Sequence, residues 1–243
     1  MKEVTMQYND FLELVKKRRS FRRYKPDPVP QDMIEKVLEA ARNAPSAGNS
    51  QPWEFVVVQD EAMKKDITKS ITSGYQELHK IDPEMYWAVA VQPHLATAPV
   101  LIIVCGDRRL EVTYPVHLPR EVLLRQSLAI TIYTLQLAAA SVGLATAWGT
   151  MQTEARETQI RKLLGIPDVY TVDHIIPLGY PDEEKEKSSK ALRPVLERAP
   201  SRRGLDEIVH YEHYDKNKFR SDEQIKEFIW SKTVTRIPGK EEG

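Results

Sequence analysis

The 243-residue chain contains a single cysteine, Cys105. One thiol can close neither an internal disulfide nor a cysteine-based metal knuckle, and at the end of the run PVLIIVC it reads as a core residue. The six histidines show no H-x-x-x-H spacing and no His/carboxylate pattern, so no metal site is expected. No G-x-G-x-x-G follows any candidate strand, which excludes a Rossmann dinucleotide domain. No uninterrupted apolar run approaches the roughly 18–20 residues that span a bilayer. The start, MKEVTMQYND, has no apolar signal core, and the expected location is the cytoplasm. Net charge is also missing: 35 Lys and Arg balance 35 Asp and Glu. No global field would hold the protein on nucleic acid or on an anionic membrane. Repeats of 20–50 residues are absent.

What is present suits an ordinary globular domain, with 41% apolar residues to build a core. DFLELVKK (10–17), opened by Asp10, reads as a short helix. VPQDMIEKVLEAARNAP carries an Ile34, Val37, Leu38, Ala41 stripe between Pro30 and Pro45, a helix with both ends marked. WEFVVV (53–58) and VLIIVC are strands, with a helix over 61–80 between them. Residues 79–98 follow neither period and read as an excursion or lid, whose Met85, Tyr86 and Trp87 either line a substrate face or belong to an interface. Residues 120–142 form the longest helix, apolar on most sides and ended by Gly143. LATAWGT is a third strand, TEARETQIRKLLG a helix, and YTVDHIIPLGYP a fourth strand. The charged 182–203 stretch is the candidate linker. Residues 1–203 are expected to form one domain and 204–243 an arm packed on it or on a partner.

Against this neutral background, KKRRSFRRYK places seven basic side chains in ten positions, 16–25. Such a cluster can be a solvated face, a targeting tag or a nucleic-acid patch. The order of residue types points elsewhere. Arginine forks bind phosphate bidentately, the serine adds a neutral hydrogen bond, and Pro26, Pro28 and Pro30 reduce the entropy lost when the segment is held. That set fits one phosphate monoester carrying a polar headgroup, with Lys16, Lys17 and Lys25 left as solvated surface. APSAGNSQPW (44–53) is a turn-rich loop on composition alone. It also offers close backbone approach at Ser46, Ala47 and Gly48, and amides at Asn49 and Gln51 that can donate and accept along the edge of a planar heterocycle.

RRSFRRY, PSAGNSQPW, GLATAWGT, PLGYP and SRRGLDEIV, in that order over residues 10–210, resemble the nitroreductase family of FMN-dependent oxidoreductases. The resemblance implies an α+β fold, a central, mainly antiparallel sheet flanked by helices, in an intertwined homodimer with FMN at the interface. It implies that Arg18, Arg19 and Ser20 hold the phosphate and nearby ribityl oxygens, with Arg202 and Arg203 closing from the C-terminal side. Arg22 would lie against the flavin N1/O2 edge. Pro45, Ser46, Ala47 and Asn49 would come from the other subunit, and Trp148, Gly149 and Thr150 would face flavin O4 and N5.

The implied activity passes hydride from NAD(P)H to an electron-poor small molecule, a nitroaromatic or quinone, in two steps on one flavin face and with no dedicated acid or base. A positive group at the N1 edge would favour the reduced flavin. Reductive dehalogenation, enone reduction or flavin fragmentation on the same frame, and a flavin carrier without turnover, are the alternatives. Ala47 stands where many family members have a second serine. Thr150 resembles the hydroxyl that the iodotyrosine deiodinase branch sets near N5, but residues 70–94 show no Glu, Tyr and Lys set for an amino-acid zwitterion.

Overall fold

The computed structural model describes residues 7–81, 93–110, 120–150, 154–188, 202–225 and 227. The chain falls into two compact units, one of residues 1–74 and 92–186, the other of 75–91 and 187–243. Residues 187–203 thus group with the C-terminal stretch.

In the first unit the elements run α1 (Tyr8–Lys17), α2 (Gln31–Arg42), a 3-10 turn (Ala47–Asn49), β1 (Trp53–Val58) and α3 (Glu61–Ile81), whose last residues belong to the second unit. Next come α4 (Pro93–Thr97), β2 (Val100–Asp107), α5 (Arg120–Ser141), β3 (Ala145–Thr146), β4 (Gly149–Thr150), α6 (Glu154–Leu164), β5 (Tyr170–Gly179) and α7 (Glu183–Ser188). The sheet order is β1-β2-β5-β3, with β4 also on β5, and every pairing is antiparallel. The expected α+β class with a central antiparallel sheet is what the chain adopts.

β2 explains why the sheet is central. Seven consecutive residues from Val100 are buried, so both faces of this strand are covered, and the period-2 alternation splits its side chains between two cores. Val100, Ile102 and Val104 join Ile34 and Val37 of α2, Leu128, Ile132 and Leu135 of α5, and Ile176 and Leu178 of β5 in one cluster. Leu101, Ile103 and Cys105 are buried on the opposite face, where the Cys105 thiol is pushed up to about 12 by burial and then by the Glu54 charge.

α5 is the one helix among the described residues that is long and apolar enough to cross a membrane by length and composition, over Glu121–Ser141. The count of uninterrupted apolar residues missed it because Arg125, Gln126, Thr131 and Gln136 punctuate the run. Here its Leu124, Leu128, Ile132, Leu135 and Ala139 face lies in the core. Thr131 Oγ1 donates to the Ala41 carbonyl at 2.6 Å, tying α5 to the end of α2.

Two expectations need correction. α1 begins at Tyr8, so Asp10 sits in its first turn instead of capping it. A carboxylate there still faces the positive end of the helix. LATAWGT is two two-residue strands, not one: β3 pairs with Gly179 and Leu178, β4 with Ile175 and His174. Part of the candidate linker, 183–188, is helical. Met85, Tyr86 and Trp87 lie outside the described residues.

Candidate functional site

α1 ends where its basic residues begin. The Arg18 amide closes the last turn on Leu14 O, and from there the chain is extended. Ser20 pairs with Thr146 of β3 in a parallel bridge, and the Phe21 amide donates to Thr146 O at 2.9 Å. Beyond Phe21 the partner changes to the turn after β5. The Arg22 amide donates to Glu186 Oε2 at 2.9 Å, the Asp182 amide to Arg23 O at 3.0 Å and the Lys25 amide to Tyr180 O at 2.9 Å. Tyr24 forms an antiparallel bridge with Pro181 and donates its hydroxyl to Phe21 O. RRSFRRY is therefore held in extended form by isolated bridges and amide bonds, to β3 at one end and to 180–186 at the other.

Beside it lies a cavity of about 470 Å³ lined by Arg18, Arg19 and Phe21, by Gln136 and Gly143 at the end of α5, and by Thr146. Lys16 and Lys17 are exposed as expected, yet they too line it. Gly143, at φ +78°, takes the left-handed conformation that ends α5. The Leu144 amide bonds back to Ala139 O at 2.9 Å, and the chain enters β3 along the cavity wall. Arg19 stacks over Phe21, 3.9 Å from guanidinium carbon to ring centroid.

Two donors beside the cavity, one cationic and one amide, are unanswered among the described residues. Arg18 Nε and Gln136 Nε2 are buried with no hydrogen-bond partner. The Arg22 guanidinium makes no ion pair within 4.0 Å. Burial lowers its pKa, against the opposing effects of Glu186 and Tyr24. Buried donors without acceptors are rare in finished structures. A site that supplies an anion and hydrogen-bond acceptors answers them, and a phosphate monoester with a polar headgroup fits that description. Gln136 escaped the sequence reading, although an amide set between Leu135 and Leu137 near the apolar end of α5 was its signal.

Arg22 does not line the cavity. It faces a buried group of titratable side chains that sequence reasoning missed: Glu186, fully buried on α7, Tyr24 and His94. His94 is held at about 3, first by burial and then by the charges of Arg22 and Arg23. Burial and then the Glu186 charge raise the Tyr24 phenol well above its ordinary value.

The other expected site residues lie elsewhere in the same unit. Gly48 and Asn49 adopt left-handed backbone, as does Gln51, which non-glycine residues tolerate only when held. Ser46 Oγ accepts from the Gln51 amide at 2.9 Å, and Ser127 Oγ accepts from the Ala47 amide at 3.2 Å. The loop is thereby shaped and tied to α5, while Pro45 and Asn49 are exposed. None of Pro45, Ser46, Ala47 and Asn49 lines the cavity. Trp148, Gly149 and Thr150 also lie off it, on the β4 edge, where Trp148 Nε1 donates to His174 Nδ1 at 3.1 Å. A Cβ on Gly149 would meet Ile175 O at 2.9 Å, so the two backbones touch there.

Arg202 and Arg203 belong to the second unit. Arg202 is exposed. Arg203 donates to the Glu207 carboxylate at 3.2 Å and to Glu207 O at 2.8 Å. Its fork is thus engaged locally. It lines a cavity of about 240 Å³ with His210, Tyr214 and Lys218. Among the described residues no cluster of His, Cys, Asp or Glu could hold a metal ion.

The sequence model of the Nitroreductase family matches residues 15–180. A protein of Archaeoglobus fulgidus, provisionally named NADH dehydrogenase/NAD(P)H nitroreductase, is 35% identical over 176 residues, covering 72% of this chain and 87% of its own. Iodotyrosine deiodinase 1 of Pongo abelii is 31% identical over 220 residues, covering 86% of this chain and 70% of its own. Among solved structures, oxidized iodotyrosine deiodinase bound to FMN and 3-iodo-L-tyrosine superposes with a TM-score of 0.59 at 25% identity, covering 84% of this chain and 99% of that one.

Proposed function

This chain belongs to the nitroreductase family, and from that premise we propose that it is an FMN-dependent oxidoreductase that uses NADH or NADPH to reduce an electron-poor small molecule such as a nitroaromatic or quinone. The observation that carries the reading is the clamped RRSFRRY segment with its unanswered donor, Arg18 Nε, beside the cavity. When bound, FMN supplies the chemistry, accepting hydride from the nicotinamide and delivering it to the acceptor.

The chain's own residues bind and orient. Arg18, Arg19 and Ser20 hold the phosphate end, because they lie on an extended segment already fixed by the Ser20 bridge and the Phe21 amide bond to β3, so that little entropy is lost on binding. Gln136 Nε2 adds a neutral donor from the cavity wall. Arg22 supplies positive charge at the edge of the ring system where reduction places negative charge. Trp148, Gly149 and Thr150 present the β4 edge to the ring. Pro45, Ser46, Ala47 and Asn49 are offered by the second subunit of a homodimer, which suits a loop that is rigidly shaped yet exposed.

The test is to denature the purified protein and identify the flavin released, then to mix the holoprotein with NADH in a stopped-flow instrument. FMN and bleaching within seconds are expected. FAD, or bound flavin that stays oxidised, would overturn the reading. A second reading, reductive dehalogenation, is favoured by the 31% identity to a deiodinase over most of the chain. Turnover of 3-iodotyrosine against a nitroaromatic under the same reductant separates the two.

A further inference from the structure

Glu186 is fully buried on α7. Its Oε2 accepts the Arg22 amide at 2.9 Å, while Oε1 is buried with no hydrogen-bond partner among the described residues. A buried carboxylate with one oxygen unanswered is costly, and a stabilising reason for keeping it has to lie in what it faces.

Its placement follows from local chemistry. Asp182 caps α7: its Oδ1 accepts from the Lys185 amide at 3.0 Å and its carbonyl from the Glu186 amide at 2.9 Å. The Asp182 amide meanwhile donates to Arg23 O. The cap is thus fastened to the arginine segment, and the residue four positions later, one helical turn on, returns its side chain to the same segment at Arg22. One short helix holds two consecutive residues of the segment, by backbone at Arg23 and by carboxylate at Arg22. No comparable side-chain clamp reaches Arg18 or Arg19 among the described residues. The bond to Ser20 and Phe21 comes from β3 backbone alone.

We propose that Glu186 is the positioning residue for Arg22: it fixes the backbone from which the Arg22 side chain extends, and its negative charge sets how much of the guanidinium's field reaches the bound flavin. This rests on the function proposed above. Glu186 lowers the net positive charge at that edge, holding the flavin potential below the value Arg22 alone would set. A potential trimmed in this way keeps the reduced cofactor a willing donor.

Two variants test it. Glu186→Gln keeps an oxygen for the Arg22 amide and removes the charge. It is expected to tighten the reduced flavin about fivefold relative to the oxidised form, a rise of about 20 mV for a two-electron couple, with affinity for oxidised FMN changed less than threefold. Glu186→Ala removes the anchor. Amide exchange at Arg22 is expected to speed at least tenfold while Cys105 in β2 is unchanged, a readout that needs no flavin. Should the alanine variant unfold, Glu186→Gln still decides through its potential. FMN-loaded wild type together with an unmoved or lowered Glu186→Gln potential would overturn the charge role, and unchanged Arg22 exchange in a folded Glu186→Ala protein would overturn the anchoring role. A wild-type protein that binds no FMN would overturn the underlying reading, and the charge role with it.

Discussion

The Phe21 amide donates to the Thr146 carbonyl at 2.9 Å, so the arginine segment is held by backbone before any of its side chains meets a ligand. Removing a guanidinium should then read out a ligand contact without loosening the loop. Arg18→Ala is expected to weaken FMN binding by about 1.5–3 kcal/mol, the range for a charge-assisted hydrogen bond. Apoprotein stability should shift by less than about 0.5 kcal/mol. Fluorescence titration and urea unfolding measure the pair, and an unchanged dissociation constant would return Arg18 to the surface.

Arg22 should behave differently. On the proposed placement against the edge that gains negative charge, it would favour the reduced form over the oxidised one, so Arg22→Gln is expected to lower the two-electron potential. Losing a contact of about 1.5–3 kcal/mol corresponds to roughly 30–65 mV. Arg18→Gln, acting on a phosphate that does not change with redox state, should weaken both forms alike. An unmoved potential with weakened oxidised-FMN binding in Arg22→Gln would place Arg22 among the phosphate ligands.

His94 makes stability fall with acid. Its folded-state value of about 3 lies below the ordinary 6.5 because the ring is buried and faces the Arg22 and Arg23 charges. Between those limits the unfolded chain binds a proton that the folded chain refuses. The stabilisation is therefore complete above about pH 6.5 and is lost as pH falls toward 3, at up to about 1.4 kcal/mol per pH unit. Urea midpoints from pH 7 to pH 4 should fall more steeply in wild type than in His94→Gln. Parallel profiles would show that His94 charges freely.

α5 leaves Val122, Ile130 and Tyr133 more than a third exposed on the side away from the core cluster, and α1 adds Tyr8 and Phe11. A homodimer using these faces, with more than about 2,000 Å² buried in all, is expected by light scattering at micromolar concentration. Ile130→Glu should shift it toward monomer and release FMN in parallel, since Asn49 would then be lost to the site. A monomeric wild type that keeps its FMN would contradict both.

The elements and the chemistry of the basic stretch could be read locally. β1 was legible to the residue because β-branched runs admit few other conformations, and α2 because Pro30 and Pro45 bracket a clean apolar stripe. RRSFRR could be read as an anion site because guanidinium spacing and a hydroxyl are properties of neighbouring residues, and the unanswered Arg18 Nε fits that reading. Other features depend on residues far apart in sequence, and only tertiary structure decided them. LATAWGT breaks into two strands because β5 offers separate registers at Leu178 and at Ile175. Gln136 joins Arg18 because α1 and α5 end beside the same cavity. Arg203 is drawn off to Glu207. The burial of Glu186 against an amide 164 residues earlier is the plainest case, since a charged helix of sequence EEKEKS carries no local sign that its fourth position, and no other, would be taken from water.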